Sequence, residues 1–256
     1  MPSPLGVKLQ DGALYIKGNH PTIDYSALEM LRETVKDASD DPSVRAISID
    51  VSWDGVAEDM GNWPDRIAHR HPKGSHGPGP LVEQDTVRSI RECMKPTIAL
   101  LSDQVNGLAI DLAAVCDIRY ASKNLQMTDD RVRRGRTAAT GITYILPKLI
   151  GQSQAMRILL LGDTLDAEEA SRIHFVHETF DTHTFRKEIE ERIGKIAKMP
   201  TRAWEIHKMQ VLPQLDLPFE AAMTHSLGIR QTHVIEDRVE GMRAWREKRE
   251  PEFTGR

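Results

Sequence analysis

The sequence predicts an α/β fold that ends in an all-helical region. Up to about residue 180, short apolar runs typical of strands alternate with stretches that repeat their apolar residues at helical spacing. This alternation favours right-handed crossovers and a largely parallel sheet. From residue 185 onwards, one helical stretch follows another, with breaks at Pro200 and around Pro213. We therefore divide the chain into a core, residues 1–195, and a C-terminal helical region, residues 196–256.

The first elements are predicted from local signals. Residues 7–16 form two short apolar runs around Asp11 and Gly12, a pair that favours a hairpin turn. A helix is expected over residues 25–38, with Asp24 as its N-cap. Residues 44–51 (VRAISIDV) then indicate a buried strand.

The middle of the chain begins with a glycine-rich loop at residues 52–80. It is followed by a predicted helix at 81–94, a strand at 97–101, a helix at 110–115 and a strand at 118–121. Helices are expected at 138–149 and 153–161, ended by Gly151 and Gly162. Asp166 stands where it can cap a further helix, because glutamate follows it three residues later.

Composition excludes several classes of protein. The 256 residues are 39% hydrophobic and 28% charged, and the apolar runs are too short to span a bilayer. A net charge of −4 gives no general reason to bind nucleic acid. Two cysteines cannot build a disulfide framework, and no secretory signal is visible at the N-terminus. We expect a cytoplasmic protein with neither a membrane nor a nucleic-acid partner.

Five segments, in order, resemble one known family. Residues 41–47 (DPSVRAI), 95–99 (KPTIA) and 146–151 (LPKLIG) match three of its motifs. Residues 105–107 (VNG) with 116–121 (CDIRYA) match a fourth, and residues 240–253 match its C-terminal motif. Together these segments resemble the enoyl-CoA hydratase/isomerase (crotonase) superfamily over most of the chain.

The resemblance implies a crotonase-like spiral of ββα units with a C-terminal helical trimerisation region. It implies an acyl-CoA substrate, with coenzyme A as part of the substrate rather than a separate cofactor. It also implies a homotrimer or a dimer of trimers. Chemistry beside a thioester carbonyl places negative charge on its oxygen, and two backbone N–H groups can stabilise that charge. Neighbouring carboxylates then move protons.

The matching positions suggest the oxyanion donors. The backbone N–H of Glu58 stands at the first donor position, with Ala57 in place of a family glycine. The second donor segment is four residues shorter here and lacks the family's glycine-rich turn. Helix N-termini offer unpaired N–H groups, so Ile110, or its neighbours Ala109 and Asp111, could donate instead.

Two positions matter for proton transfer. Asp111 falls where the family has its first catalytic glutamate, although an aspartate here could equally be a helix N-cap. Arg131 replaces the second glutamate, and a shift of one residue would place Asp130 there. An arginine stays protonated and cannot be a general base. We therefore predict Asp111 or Asp130 as the proton-transfer group.

Other residues are candidates for binding. Arg131 belongs to a cluster of four arginines within six residues, which could hold a substrate carboxylate or phosphate, or could simply be solvated. His76 could enter the site beside the substrate, whereas the spacing of His69, His71 and His76 does not indicate a metal site. Trp245 and Lys248 match the positions which, in the family, reach a neighbouring subunit's adenine and phosphate.

The leading hypothesis is a lyase (hydratase) or isomerase that acts on an acyl-CoA, or a related 1,3-dicarbonyl compound, through an enolate. Two alternatives remain open. One is a hydrolase that cleaves a C–C bond in a diketone without coenzyme A. The other is a non-catalytic, crotonase-like partner protein.

Overall fold

The computed structural model describes residues 3–55, 82–214 and 216–256. The strands of this part of the chain are β1 (Leu5–Gln10), β2 (Ala13–Gly18), β3 (Ala46–Asp50), β4 (Thr97–Leu101), β5 (Gln104–Asn106), β6 (Ile118–Ser122), β7 (Gln126–Thr128), β8 (Thr164–Asp166) and β9 (Glu178–Phe180).

The helices that alternate with these strands are α1 (Tyr25–Asp40), α2 (Val82–Glu92), α3 (Leu108–Val115), α4 (Ile142–Ile150), α5 (Gln152–Met156) and α6 (Ala167–Arg172). A π-helical turn, Arg157–Leu161, continues α5. The chain then ends in α7 (Phe185–Ala197), α8 (Thr201–Gln214), α9 (Phe219–Thr232) and α10 (Asp237–Glu247).

The large sheet has the strand order β1-β2-β3-β4-β6-β9. Only β1 and β2 pair in the antiparallel sense; every other pair in this sheet is parallel. The hairpin turns at Asp11 and Gly12, whose φ angles of 50° and 80° are those of a two-residue turn that suits the twist of the strands. The sequence signal for this hairpin is therefore confirmed.

A smaller sheet, in the order β5-β7-β8, lies beside the large one. Its strands β5 and β7 are parallel, in the register Gln104 opposite Gln126, so their carboxyl ends meet at the same edge. The strand pairs β4-β5 and β6-β7, with α3 between them, give the ββα order that the resemblance implies.

Apolar side chains cover both faces of the large sheet. On one face, Leu28 and Leu31 of α1 and Ile90 of α2 pack into the main core. On the other, Ile189 and Ile193 of α7 pack against Ile98, Tyr120 and other residues of the sheet. A parallel sheet covered in this way is the architecture that continuous apolar strands predict, so the α/β prediction is confirmed.

Helix α8 is fixed to the sheet by a set of buried ion pairs that we call the anchor network: Lys95, Glu205, Lys208 and Asp117. Nζ of Lys95 lies 3.2 Å from Oε1 of Glu205, and Nζ of Lys208 lies 2.8 Å from Oδ2 of Asp117. The same Oδ2 accepts hydrogen bonds from the backbone N–H and the hydroxyl of Thr97. These contacts join the start of the C-terminal helices to β4 and the turn before β6.

Helix α9 presents apolar side chains to solvent. None of its residues is buried, and Phe219, Met223 and Leu227 recur at intervals of four on one side. Within the described residues, no helix is long and apolar enough to cross a membrane.

Candidate active site

The candidate site lies where the carboxyl ends of β5 and β7 meet the start of α3. The backbone N–H of Gly107 donates to the carbonyl of Thr128 at 3.1 Å, which ties the two strand ends together. The N–H of Asn106 donates to the carbonyl of Trp53 at 2.9 Å, so the chain that follows β3 joins the same edge. In parallel sheets this edge is where ligands usually bind.

Helix α3 begins directly after Gly107, whose φ of 56° and ψ of −109° suit a residue without a side chain. All eight residues of α3 are buried, and Asp111 is the one charged residue among them. Its side chain is 1% exposed. The alternative that Asp111 caps the helix is wrong, because the helix begins at Leu108 and Gly107 is its N-cap. A lone carboxylate in such a helix requires a partner.

That partner is Arg131, in a set of side chains that we call the site network: Asp111, Asp129, Arg131 and Thr140. Nη1 of Arg131 donates to Oδ2 of Asp111 at 2.7 Å, and Nη2 donates to Oδ1 at 2.8 Å. Nε and Nη2 also donate to the two carboxylate oxygens of Asp129, at 2.8 and 2.6 Å. One guanidinium therefore holds two carboxylates in paired, planar geometry.

Thr140 completes the network from the loop before α4. Its hydroxyl donates to Oδ2 of Asp111 at 2.6 Å. Asp129 also accepts the backbone N–H of Arg131 at 3.2 Å, which fixes the turn that carries the arginine. Neither Thr140 nor Asp129 was predicted from the sequence.

The network combines two carboxylates with one guanidinium, so it carries one surplus negative charge when both aspartates are ionised. Burial raises the pKa of Asp111, whereas the charge and hydrogen bonds of Arg131 and the hydroxyl of Thr140 oppose that rise. Burial alone would lower the pKa of Arg131, but the two carboxylates raise it above its usual value. Arg131 is therefore a permanent cation.

Arg119 holds the opposite end of α3. Its side chain is buried and donates to the carbonyl of Cys116 at 2.7 Å and to that of Phe175 at 2.6 Å. A cation at the carboxyl end of a helix is favourable for the helix dipole. The helix is thus fixed at both ends, and this fixes the position of Asp111.

The other predicted residues of this region lie outside the network. The backbone N–H of Ile110, predicted as an oxyanion donor, donates to the carbonyl of Gly107 at 3.0 Å. The side chain of Asp130 pairs with Arg134 rather than with Asp111 or Arg131. Arg133, Arg134 and Arg136 are exposed, so only Arg131 of the arginine cluster points inward.

Trp245 and Lys248 lie together at the end of α10. Trp245 is 82% exposed, and Lys248 follows the helix in the left-handed conformation with a φ of 55°. Both line a cavity of about 550 Å³, with Ala244, Arg246 and Arg249 as the other lining residues. The predicted ring and ammonium are therefore neighbours on an open surface.

Two predicted residues, Glu58 and His76, lie outside the described residues, as do His69 and His71. In the part of the chain that the structure describes, no group of three or more histidine, cysteine, aspartate or glutamate side chains is arranged to hold a metal ion.

Comparison with known proteins gives a family match for the chain. Residues 9–256 match the model of the enoyl-CoA hydratase/isomerase family. The chain is 30% identical over 168 residues to an (E)-benzylidenesuccinyl-CoA hydratase of Thauera aromatica, a match that covers 63% of each chain. It is 29% identical over 173 residues to a crotonyl-CoA hydratase of Syntrophomonas wolfei, covering 66% of each. The matches thus span just under two thirds of these relatives.

Solved structures share the fold over almost the whole chain. A structure described as a candidate enoyl-CoA hydratase of Streptomyces coelicolor A3(2) aligns with a TM-score of 0.87 and 26% identity, over 99% of this chain and 94% of that one. A structure from Geobacillus kaustophilus aligns with the same TM-score over 100% and 98% of the two chains, at 22% identity. The predicted crotonase-like fold is confirmed.

Proposed function

Because the chain belongs to the enoyl-CoA hydratase/isomerase family, we propose that it is an enzyme that acts on an acyl-CoA thioester through a stabilised enolate. The observation that carries this proposal is the buried carboxylate of Asp111, placed on the first turn of α3 beside the amide groups of the helix start. An acid-base group and oxyanion donors are the two parts that this chemistry needs.

The oxyanion donors come from the first turn of α3. The first N–H groups of a helix have no hydrogen-bond partner inside the helix. The N–H of Ile110, however, already donates to the carbonyl of Gly107. We assign the role to the amides of Leu108 and Ala109, of which Ala109 was among the sequence alternatives. The donor at the first family position, the N–H of Glu58, remains a prediction. Gly107 provides the backbone turn that the family's glycine-rich segment would otherwise supply.

Asp111 moves the proton. A carboxylate has about four lone-pair sites. Oδ2 of Asp111 receives hydrogen bonds from Arg131 and Thr140, whereas Oδ1 receives one from Arg131. Oδ1 therefore takes the proton from the carbon beside the thioester carbonyl, and the C–H electron pair becomes that of the enolate. The same atom returns the proton in the reverse direction.

Arg131 restricts the reactions that suit the site. It cannot accept a proton, so a mechanism that needs two basic carboxylates at these positions is not available. One carboxylate is enough to shift a proton between two carbons, or to pass one between water and carbon. We propose a hydratase (lyase) or an isomerase reaction on these grounds. The relatives named as hydratases favour the first.

Coenzyme A would enter as part of the substrate. The flat ring of Trp245 and the ammonium of Lys248 suit an adenine and a phosphate, and the cavity beside them is open. We propose that these two residues bind the nucleotide end of coenzyme A from a neighbouring subunit.

The proposed assembly is a homotrimer or a dimer of trimers. The exposed apolar side of α9, formed by Phe219, Met223 and Leu227, supports contacts between subunits because apolar surface of this kind is costly in water. Light scattering after gel filtration measures the mass directly. A monomer at micromolar concentration would contradict this part of the proposal.

A second candidate function is a non-catalytic acyl-CoA-binding partner protein. The observation that favours it is the mutual pairing of Asp111, Asp129 and Arg131, in which one guanidinium already holds both carboxylates. The distinction is whether the protein turns over any substrate.

Turnover of a panel of enoyl-CoA esters and 1,3-diketones tests these functions. We expect conversion of at least one enoyl-CoA ester, and a loss of about 10²–10⁴-fold in kcat for Asp111→Asn because the proton-transfer group is removed. A much smaller loss in Asp111→Asn than in Asp130→Asn would move the role to Asp130. Turnover of a diketone alone would favour the C–C hydrolase, and no turnover at all would favour the non-catalytic protein.

Calorimetric titration with coenzyme A tests the binding role of the α10 residues. Lys248→Ala is expected to weaken binding by about tenfold, or about 1.4 kcal/mol. Lys187→Ala is the matched control, because it removes an exposed lysine from α7. Equal affinities for the two variants would remove Lys248 from the site.

A further inference from the structure

Thr140 contacts Asp111, and Asp129 contacts Arg131. The proposed reaction gives neither Thr140 nor Asp129 a role. We propose that Thr140 and Asp129 are positioning residues that hold Asp111 and Arg131 in the arrangement used for proton transfer. This inference rests on the proposed function, in which Asp111 carries the proton.

Thr140 determines which oxygen of Asp111 reacts. Its hydroxyl bonds to Oδ2 at 2.6 Å, and the same oxygen accepts Nη1 of Arg131 at 2.7 Å. Two donors occupy the lone pairs of Oδ2, so the remaining acceptor capacity of the carboxylate lies on Oδ1. Without the hydroxyl, the two oxygens would become equivalent in hydrogen bonding and the carboxylate would lose one stabilising donor.

Asp129 determines how strongly the positive charge of Arg131 stabilises the ionised form of Asp111. It receives Nε, Nη2 and the backbone N–H of Arg131, so the guanidinium is held from two sides. The carboxylate is buried, and its negative charge acts on Asp111 in the direction opposite to that of Arg131. If that charge were removed, Asp111 would be the one carboxylate of the site network still paired with Arg131.

Among the described residues, the charges that act on Asp111 come from the turn after β7. The turn after β7 supplies Arg131 and Asp129, and the neighbouring Asp130 is paired with Arg134. Helix α2 packs against α3, and its Glu83 is buried. The loop before α4 supplies the uncharged Thr140. The hydrogen bond from Thr140 lowers the pKa of Asp111 and the charge of Asp129 raises it.

Two substitutions should therefore move the same titration in opposite directions. Thr140→Val removes a donor to the carboxylate, so we expect the pKa of Asp111 to rise. Asp129→Asn removes a like charge, so we expect the pKa of Asp111 to fall. Thr140→Ser retains the hydroxyl and should restore the wild-type value. Asp85→Asn, at a half-buried aspartate paired with Arg88, should leave it unchanged.

The measurements are the pH dependence of kcat with an enoyl-CoA ester and the carbon-13 NMR titration of the aspartate carboxyl groups. The resonance absent from Asp111→Asn identifies Asp111. Shifts of opposite sign in both measurements would support the proposal. Circular dichroism checks folding, and Thr140→Val alone still tests the proposal if Asp129→Asn does not fold.

The outcomes separate this proposal from the proposed function. If Asp111→Asn abolishes turnover but neither Thr140→Val nor Asp129→Asn shifts the pH profile or the carboxyl titration, the positioning roles are wrong and the function stands. If the wild-type protein turns over no substrate, the function fails. The NMR titration then still decides whether the two residues control the ionisation of Asp111.

Discussion

In the described part of the chain, one buried network of charged side chains lies at the start of α3, and another lies where α8 meets the large sheet. In the anchor network, each carboxylate has at least one cation of its own: Asp117 pairs with Lys208, and Glu205 pairs with Lys95 and also with Arg202. In the site network, Asp111 and Asp129 share one guanidinium.

The difference between them shows what each network is for. Buried charges cost free energy of desolvation, and close partners offset that cost. The anchor leaves no carboxylate to share a cation, and such pairs are sufficient to attach a helix. The site network holds a surplus carboxylate in a helix that is otherwise apolar, an arrangement that packing alone does not require. A surplus of this kind is typical of a site that handles protons.

The largest effect on stability is expected from Arg131→Met. This change leaves Asp111 and Asp129 buried without a cation, so the free energy of unfolding at neutral pH should fall by about 3–5 kcal/mol. Urea denaturation measures the loss. Arg134→Met is the control on the same turn, because Arg134 is 62% exposed and its pair with Asp130 should contribute less than about 1 kcal/mol. Similar small losses in both variants would contradict a buried site network.

An intermediate effect is expected from Asp117→Asn in the anchor network. Lys208, with a side chain only 7% exposed, would lose its carboxylate partner and keep neutral acceptors such as the carbonyl of Lys95 at 3.2 Å. We expect the free energy of unfolding to fall by about 2–3 kcal/mol. The kcat of the folded enzyme should stay at the wild-type value, since the anchor lies at the other end of α3. A large fall in kcat would show that the two networks are coupled.

The elements that local signals define could be predicted from the sequence. Asp24 and Asp166 accept the N–H groups of Ala27 and Glu169, as N-caps do, and α1, α2 and β4 lie within two residues of their predicted bounds. The three-residue strands β5, β7, β8 and β9 were not predicted. Their pairing partners lie far along the chain, and so short a segment carries no periodicity of its own.

The candidate site, too, could be predicted from the sequence only in part. Asp111 could be nominated because a carboxylate in an apolar helix, at a family position, is a chemical signal. Its partner Arg131 could not be identified from the sequence, because four arginines lie within six residues and the fold decides which one turns inward. The positions of Thr140 and Asp129 in the sequence do not indicate a role in the site. Their contacts in the site network form because two separate loops meet at the start of α3.

The smallest effect on stability is expected from Asp111→Asn, the counterpart of Asp117→Asn. Arg131 keeps Asp129 as its partner and the site network becomes neutral, so the free energy of unfolding at neutral pH should change by no more than about 1 kcal/mol. A loss as large as that of Asp117→Asn would mean that the carboxylate of Asp111 is retained for stability.

The difference in the free energy of unfolding between Asp111→Asn and the wild type should also depend on pH. Burial raises the pKa of Asp111 above its ordinary value of 3.8. The folded state therefore binds this proton more tightly than the unfolded state does. The resulting stabilisation is complete below about pH 4 and is lost as the pH rises through the pKa of the folded state. Asparagine does not titrate, so Asp111→Asn should gain stability relative to the wild type as the pH rises. Urea denaturation of both proteins across this range measures the difference, and parallel curves would show that burial does not raise the pKa of Asp111.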